Sequence, residues 1–140
     1  LYIYVKYNAR DYMDFTEKLN TYANLLVCHG LNVQPGQVVN ITAELYHRDF
    51  VQRLVKAAYK RGAKFVHVDF IDPELVRTRV LESQKDEYLH YIPTYVAKKF
   101  DSFIDEGACV LRLCGSEDPD SQADLPASKT NAIQMAMRQT

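Results

Sequence analysis

One unit recurs along the chain: an amphipathic stretch ends at a glycine, and a short β-rich run follows. In the first, Phe15, Leu19, Tyr22 and Leu26 are spaced by four, three and four residues, one face of a helix over 14–29. Gly30 is placed to end it in the left-handed conformation. Asn32 to Gln37 holds a Pro-Gly pair, which is turn chemistry, and 38–42 reads as a strand. The second unit begins near Tyr46, with Phe50, Val51, Leu54, Val55 and Ala58 on one face. Gly62 closes it and a strand over 65–70 follows. Asp72-Pro73-Glu74 opens a third helix, reaching about Gln84: Asp caps, Pro suits the first turn and Glu complements the dipole. After a tyrosine-bearing polar connector at 86–92, Pro93 opens a helix carrying Tyr95, Val96, Phe100, Phe103 and Ile104. Gly107 ends it before a strand over 108–114. Ile133, Met135, Ala136 and Met137 mark a last helical stretch.

Helices alternating with short β-rich runs require crossover connections. The expected fold is therefore α/β: a layered, mostly parallel sheet of three recognisable strands, flanked on both faces by about five helices. A length of 140 residues fits one domain. A formal net charge of −1 lacks the basic excess that phosphate neutralisation demands, which argues against a nucleic-acid partner. No stretch approaches the ~20 apolar residues that span a bilayer, so no membrane partner is expected. Three cysteines make no disulfide framework, and a reducing cytoplasm is the expected compartment.

Both ends set expectations about extent. Met13 stands beside a helix start, so residues 1–12 read as a non-native or upstream extension. The last helical stretch reaches Gln139-Thr140 without a closing glycine or proline, and three strands are few for such a sheet. Residues 13–140 are expected to be the N-terminal α/β domain of a larger protein.

Three groups carry candidate chemistry. His67 and Asp69, two apart on a strand, share a face and can act as metal ligands or as a base with its orienting partner. Asp72 and Glu74 lie just past that strand's carboxyl end, where open α/β sheets bind ligands. The plainer reading is a strand with one polar face followed by a helix cap, since two ligands without a third define no site. Ser116-Glu117-Asp118-Pro119-Asp120 follows the third strand and, with Asp124, makes a negative loop free of Lys and Arg. Such a loop can hold a cation or a substrate ammonium group, and acidic turn residues explain it equally well. Glu117, Asp118 and Asp120 are the candidate cavity contacts. Cys109 and Cys114 are not CxxC-spaced, Cys28 reads as a small buried thiol, and the glycines form neither a dinucleotide nor a P-loop signature.

Several strings, in order, carry a resemblance: Gly30-Leu-Asn-Val-Gln-Pro-Gly-Gln37, Phe50 to Lys64, Val66-His-Val-Asp69, Ile104-Asp-Glu-Gly-Ala108 and Leu113-Cys-Gly-Ser-Glu-Asp-Pro-Asp120. They resemble the opening part of metal-dependent aminopeptidases of the aminopeptidase S/aminopeptidase T type, from about Met13 to Thr140. The resemblance implies a two-domain hydrolase that removes N-terminal residues from peptides. It also implies a homodimer and two divalent metal ions (zinc, cobalt or magnesium). Their Glu, His and Asp ligands belong to the family's C-terminal domain, so no catalytic or metal-binding residue transfers to this chain, which alone is expected to be inactive and metal-free. Two other readings stand beside it: a stand-alone α/β binding or interaction module with a ligand at the strand carboxyl ends, and a complete small enzyme using His67 and Asp69.

Overall fold

The computed structural model describes residues 14–115 and 118–138. The expectations for residues 1–12, Met13, Ser116, Glu117 and the last two positions fall outside the described residues.

The first helix, α1 (Phe15–Leu25), runs into a π-helical turn, Leu26–Gly30. The buried face of α1 differs from the expected one. Ala23 and Val27 are sealed, whereas Phe15 and Tyr22 stay exposed, Tyr22 stacking on Phe50 at 5.6 Å between ring centres. Gly30 also differs from expectation. It remains inside the π turn, where Leu31 N–H donates to Leu26 O at 2.7 Å, and the left-handed residue is Asn32 at φ 49°. Asparagine tolerates that conformation because its short side chain bonds locally.

Strand β1 (Val38–Glu44) runs two residues further than its apolar pattern suggested. A short 3-10 turn, Leu45–His47, leads into α2 (Arg48–Lys60) and then β2 (Phe65–Ile71). Helix α3 (Pro73–Glu82) follows, capped as expected by Asp72, whose side chain accepts from Glu74 N–H at 3.0 Å. The connector forms a 3-10 turn, Asp86–His90, held by Arg79 donating to the carbonyls of Tyr88 and Tyr91 at 2.9 and 2.7 Å. Then come α4 (Thr94–Asp105), β3 (Cys109–Arg112) and α5 (Ala127–Arg138). β3 is shorter than expected, leaving Cys114 beyond the strand and exposed.

The three strands are parallel in the order β2-β1-β3. Val39 pairs with Val66 on one side and Cys109 on the other, and Thr42 with Asp69 and Arg112. Alternation along β1 gives the sheet two characters. Val39, Ile41 and Ala43, all at most 1% exposed, face Ala23, Val27, Val51, Leu54, Ala57 and Ala58 of the first two helices and the π turn. Full burial of such an aliphatic side chain stabilises by about 1.5–3 kcal/mol. The opposite face is polar, with Asn40 beside His67, and α4 lies against it through Phe103, whose ring centre is 5.6 Å from that of His67. Helix α4 buries none of its residues; Tyr95 and Ile104, two of the large apolar residues that mark it in the sequence, are 73% and 77% exposed. A satellite core joins α3, the connector and α5 through Val80, Leu89, Leu125 and Ile133.

The end of α2 is locked to the turn before β1. Gly62, at φ 99°, accepts a 2.8 Å bond from Gly36 N–H, and Lys64 N–H donates to Gln37 O at 2.8 Å.

Candidate functional site

The strand order brings the carboxyl ends of β1 and β2 side by side, with the segment after β3 folding across them. A cleft of about 440 Å³ opens there. Four carboxylates line it: Glu44 from the last position of β1, Asp72 and Glu74 from the start of α3, and Asp118 from the loop after β3. Leu45 and Tyr46 supply apolar surface. The fold thus joins two groups that were separate in the sequence, the Asp72/Glu74 pair and the acidic loop. Glu44 was not anticipated; its signal was the even-numbered alternation of β1, which continues polar to residue 44.

The four acids are not equivalent. Asp72 is partly committed to capping α3, and Asp118 Oδ1 accepts from Asp120 N–H at 3.0 Å in a turn. Asp120 therefore shapes the loop and does not line the cleft. Glu117 lies outside the described residues. Glu44 Oε2 is shielded from solvent without a hydrogen-bond partner among the described residues, and so is His47 Nε2. A shielded carboxylate oxygen without a donor is unfavourable, so this cleft suits a ligand that brings positive charge or N–H groups. Gly115, at φ 150°, passes close to His47: a β-carbon there would lie 3.7 Å from His47 Nε2.

Asp124, the fourth acid of the loop, is spent on structure. Arg77 of α3 grips it through two bonds of 2.5 and 2.6 Å and also donates to Ser121 O at 2.9 Å. The hydrogen bond from Arg77 holds the Asp124 carboxyl down at about 2.

His67 and Asp69 share a face as expected, with His67 Nε2 3.1 Å from Asp69 Oδ1. Asp69 is already engaged by Lys99 of α4, whose Nζ donates to Oδ2 at 2.7 Å. Burial pushes the Asp69 carboxyl up, but the bonds from Lys99 and His67 outweigh it and bring it below its ordinary value. The pair fastens α4 to β2. Among the described residues no three His, Cys, Asp or Glu side chains converge as a metal-ligand set, so these residues do not fit a metal centre. Cys109 Sγ donates toward Gln37 Oε1 at 3.3 Å, and burial pushes its thiol up, away from the reactive thiolate. No helix among the described residues is long and apolar enough to cross a membrane.

Comparison with known proteins places these features in context. The profile of a family described as thermophilic metalloprotease (M29) matches residues 15–140. The chain is 36% identical over 122 residues to aminopeptidase AmpS of Bacillus subtilis (strain 168), and 35% identical over 122 residues to aminopeptidase T of Thermus thermophilus. Both alignments cover 87% of this chain and 29% of the relative. Among solved structures, wild-type AmpT from Thermus thermophilus superposes with a TM-score of 0.79 at 34% identity, covering 88% of this chain and 30% of that one. The chain spans less than a third of the length of the relatives it matches.

Proposed function

The chain belongs to the thermophilic metalloprotease (M29) family, and from that premise we propose that it is the N-terminal domain of a metal-dependent aminopeptidase. The observation that carries this reading is the family match over residues 15–140 together with the relatives' greater length. In the complete protein, two divalent ions held by a further domain would activate the water that cleaves the first peptide bond. The described residues hold no ligand set for those ions. Peptides are the substrates, a homodimer is the assembly and the cytoplasm is the compartment in this reading. Residues 13–140 are the native domain, and 1–12 an extension.

What this chain contributes is scaffold and cleft wall. The sheet fixes Glu44, Asp72 and Glu74 at one edge, and the Arg77 grip on the following loop keeps Asp118 beside them. Their negative potential favours the free α-ammonium group that distinguishes a peptide's N-terminus. Glu117 and Asp120 belong to the same loop and add to that potential.

The test compares the 140-residue chain with the complete polypeptide on a leucyl chromogenic amide, with zinc or cobalt added. Release by the complete polypeptide alone is expected; release by the purified 140-residue chain overturns the scaffold reading. In the complete polypeptide, Asp118→Asn is expected to raise KM several-fold with little change in kcat. An unchanged KM removes the cleft from substrate binding.

A further inference from the structure

We propose that the groove between α1 and α2 is a binding site for a small phosphate-class oxyanion. This goes beyond the peptidase reading and rests on different residues. Arg53, Lys56 and Lys60 are spaced three and four apart on α2 and share one side of the groove. Asn20 and Asn24, four apart on α1, form the other side, with Ala57 at the floor. The groove holds about 150 Å³, and no carboxylate lines it.

Like charges at these helical spacings destabilise a helix unless something offsets them. Among the described residues none of the three cations forms an ion pair. Asp49, one turn before Arg53, lies 3.9 Å from Arg48 instead. Lys60 is favoured by its place in the last turn of α2, but that explanation does not reach Arg53 or Lys56.

The groups are also pre-set. Arg53 Nη1 donates to Asn20 Oδ1 at 2.5 Å, which holds the guanidinium across the groove. Its Nε–H is shielded from solvent and has no acceptor among the described residues. Asn24 Nδ2 spends one N–H on Asn20 O at 2.9 Å and keeps the second. An anion seated here takes the second Asn24 N–H and both ammonium groups. With a small turn of the Arg53 side chain it also satisfies Nε. Charge-assisted bonds from a guanidinium and lysines are the usual means of holding a tetrahedral oxyanion, and the groove has room for a phosphate group.

The experiment titrates the full 140-residue chain, uniformly labelled with nitrogen-15, with inorganic phosphate at ionic strength fixed by sodium chloride. Saturable shifts at the Asn24 side-chain amide, Arg53 Nε–H and the facing backbone of both helices are expected. The double variant Lys56→Gln/Lys60→Gln should bind about tenfold more weakly or worse, while Lys64→Gln/Lys98→Gln, which removes two charges outside the groove, should bind like the parent. A parallel titration with glycerol 3-phosphate separates two sources: tighter binding identifies a phosphomonoester, and equal binding identifies the free ion. Shifts that never saturate, or that the double variant shares at the same affinity, overturn the proposal.

Discussion

Arg77 and Asp124 meet through two parallel bonds of 2.5 and 2.6 Å, tying α3 to the loop that follows β3 across 47 residues of chain. The same guanidinium reaches Ser121 O, so one side chain fixes both the charge and the backbone of the loop. Since Asp72 caps α3, Glu74 lies in its first turn and Asp118 is on the loop, this grip sets the width of the acidic cleft.

Acid should release the loop. The Asp124 carboxyl is held at about 2 in the folded chain against an ordinary 3.8. A lowered folded value contributes stability above the ordinary value and loses it as pH falls toward the folded one. Between about pH 4 and pH 2 the amides near Ser121 and Asp124 should become less protected. In Arg77→Met they should be equally unprotected at neutral pH. Hydrogen exchange followed by mass spectrometry checks both; unchanged protection in the variant counts against the grip.

Gly62 should resist any side chain. A β-carbon there would lie 3.2 Å from both Cα and Cβ of Pro35, at a φ of 99° that L-residues rarely adopt. Gly62→Ala is expected to destabilise by about 1–3 kcal/mol, read as a lower urea midpoint with unchanged slope.

Asp72 has two duties, which substitutions can separate. Asp72→Ala removes the cap bond to Glu74 N–H and should destabilise by about 1 kcal/mol. Asp72→Asn keeps a capping oxygen and should recover most of that while still removing charge from the cleft. Urea melts of the two variants are sufficient to compare them.

The thiols should react in order. Cys114 is exposed beyond β3, whereas Cys109 is partly buried with its thiol pushed up. Alkylation near neutral pH, followed by peptide mapping, should label Cys114 well before Cys109. The reverse order would contradict the burial of β3's inner face.

The helix–glycine–strand rhythm was legible because period and turn chemistry are local: Leu54 and Ala58 sit inside where their spacing put them, and Asp72 caps as its Pro-Glu neighbours implied. Which side of α1 is inside was not legible, because Ala23 and Val27 carry less apolar bulk than Phe15 and Tyr22 but are sealed against α2. The cleft was half legible. Position after a strand marked Asp72, Glu74 and Asp118, but their meeting with Glu44 depends on β2 and β3 flanking β1, and pairing order leaves no mark in a single sequence. Asp69 looked like a ligand until Lys99, 30 residues away, claimed it.

The strand order also sets a timetable for synthesis. β1 leaves the ribosome first but ends in the middle of the sheet. One flank is closed soon, once α2 and β2 have followed. The other stays open until α3, the connector and α4 have all been made and Cys109–Arg112 arrives. Throughout that interval a nascent chain presents the bare hydrogen-bonding edge of the strand that ends most buried, the kind of edge that other strands pair with. A pause in translation near Gly107 would prolong that exposure, and a holding chaperone would be most useful there.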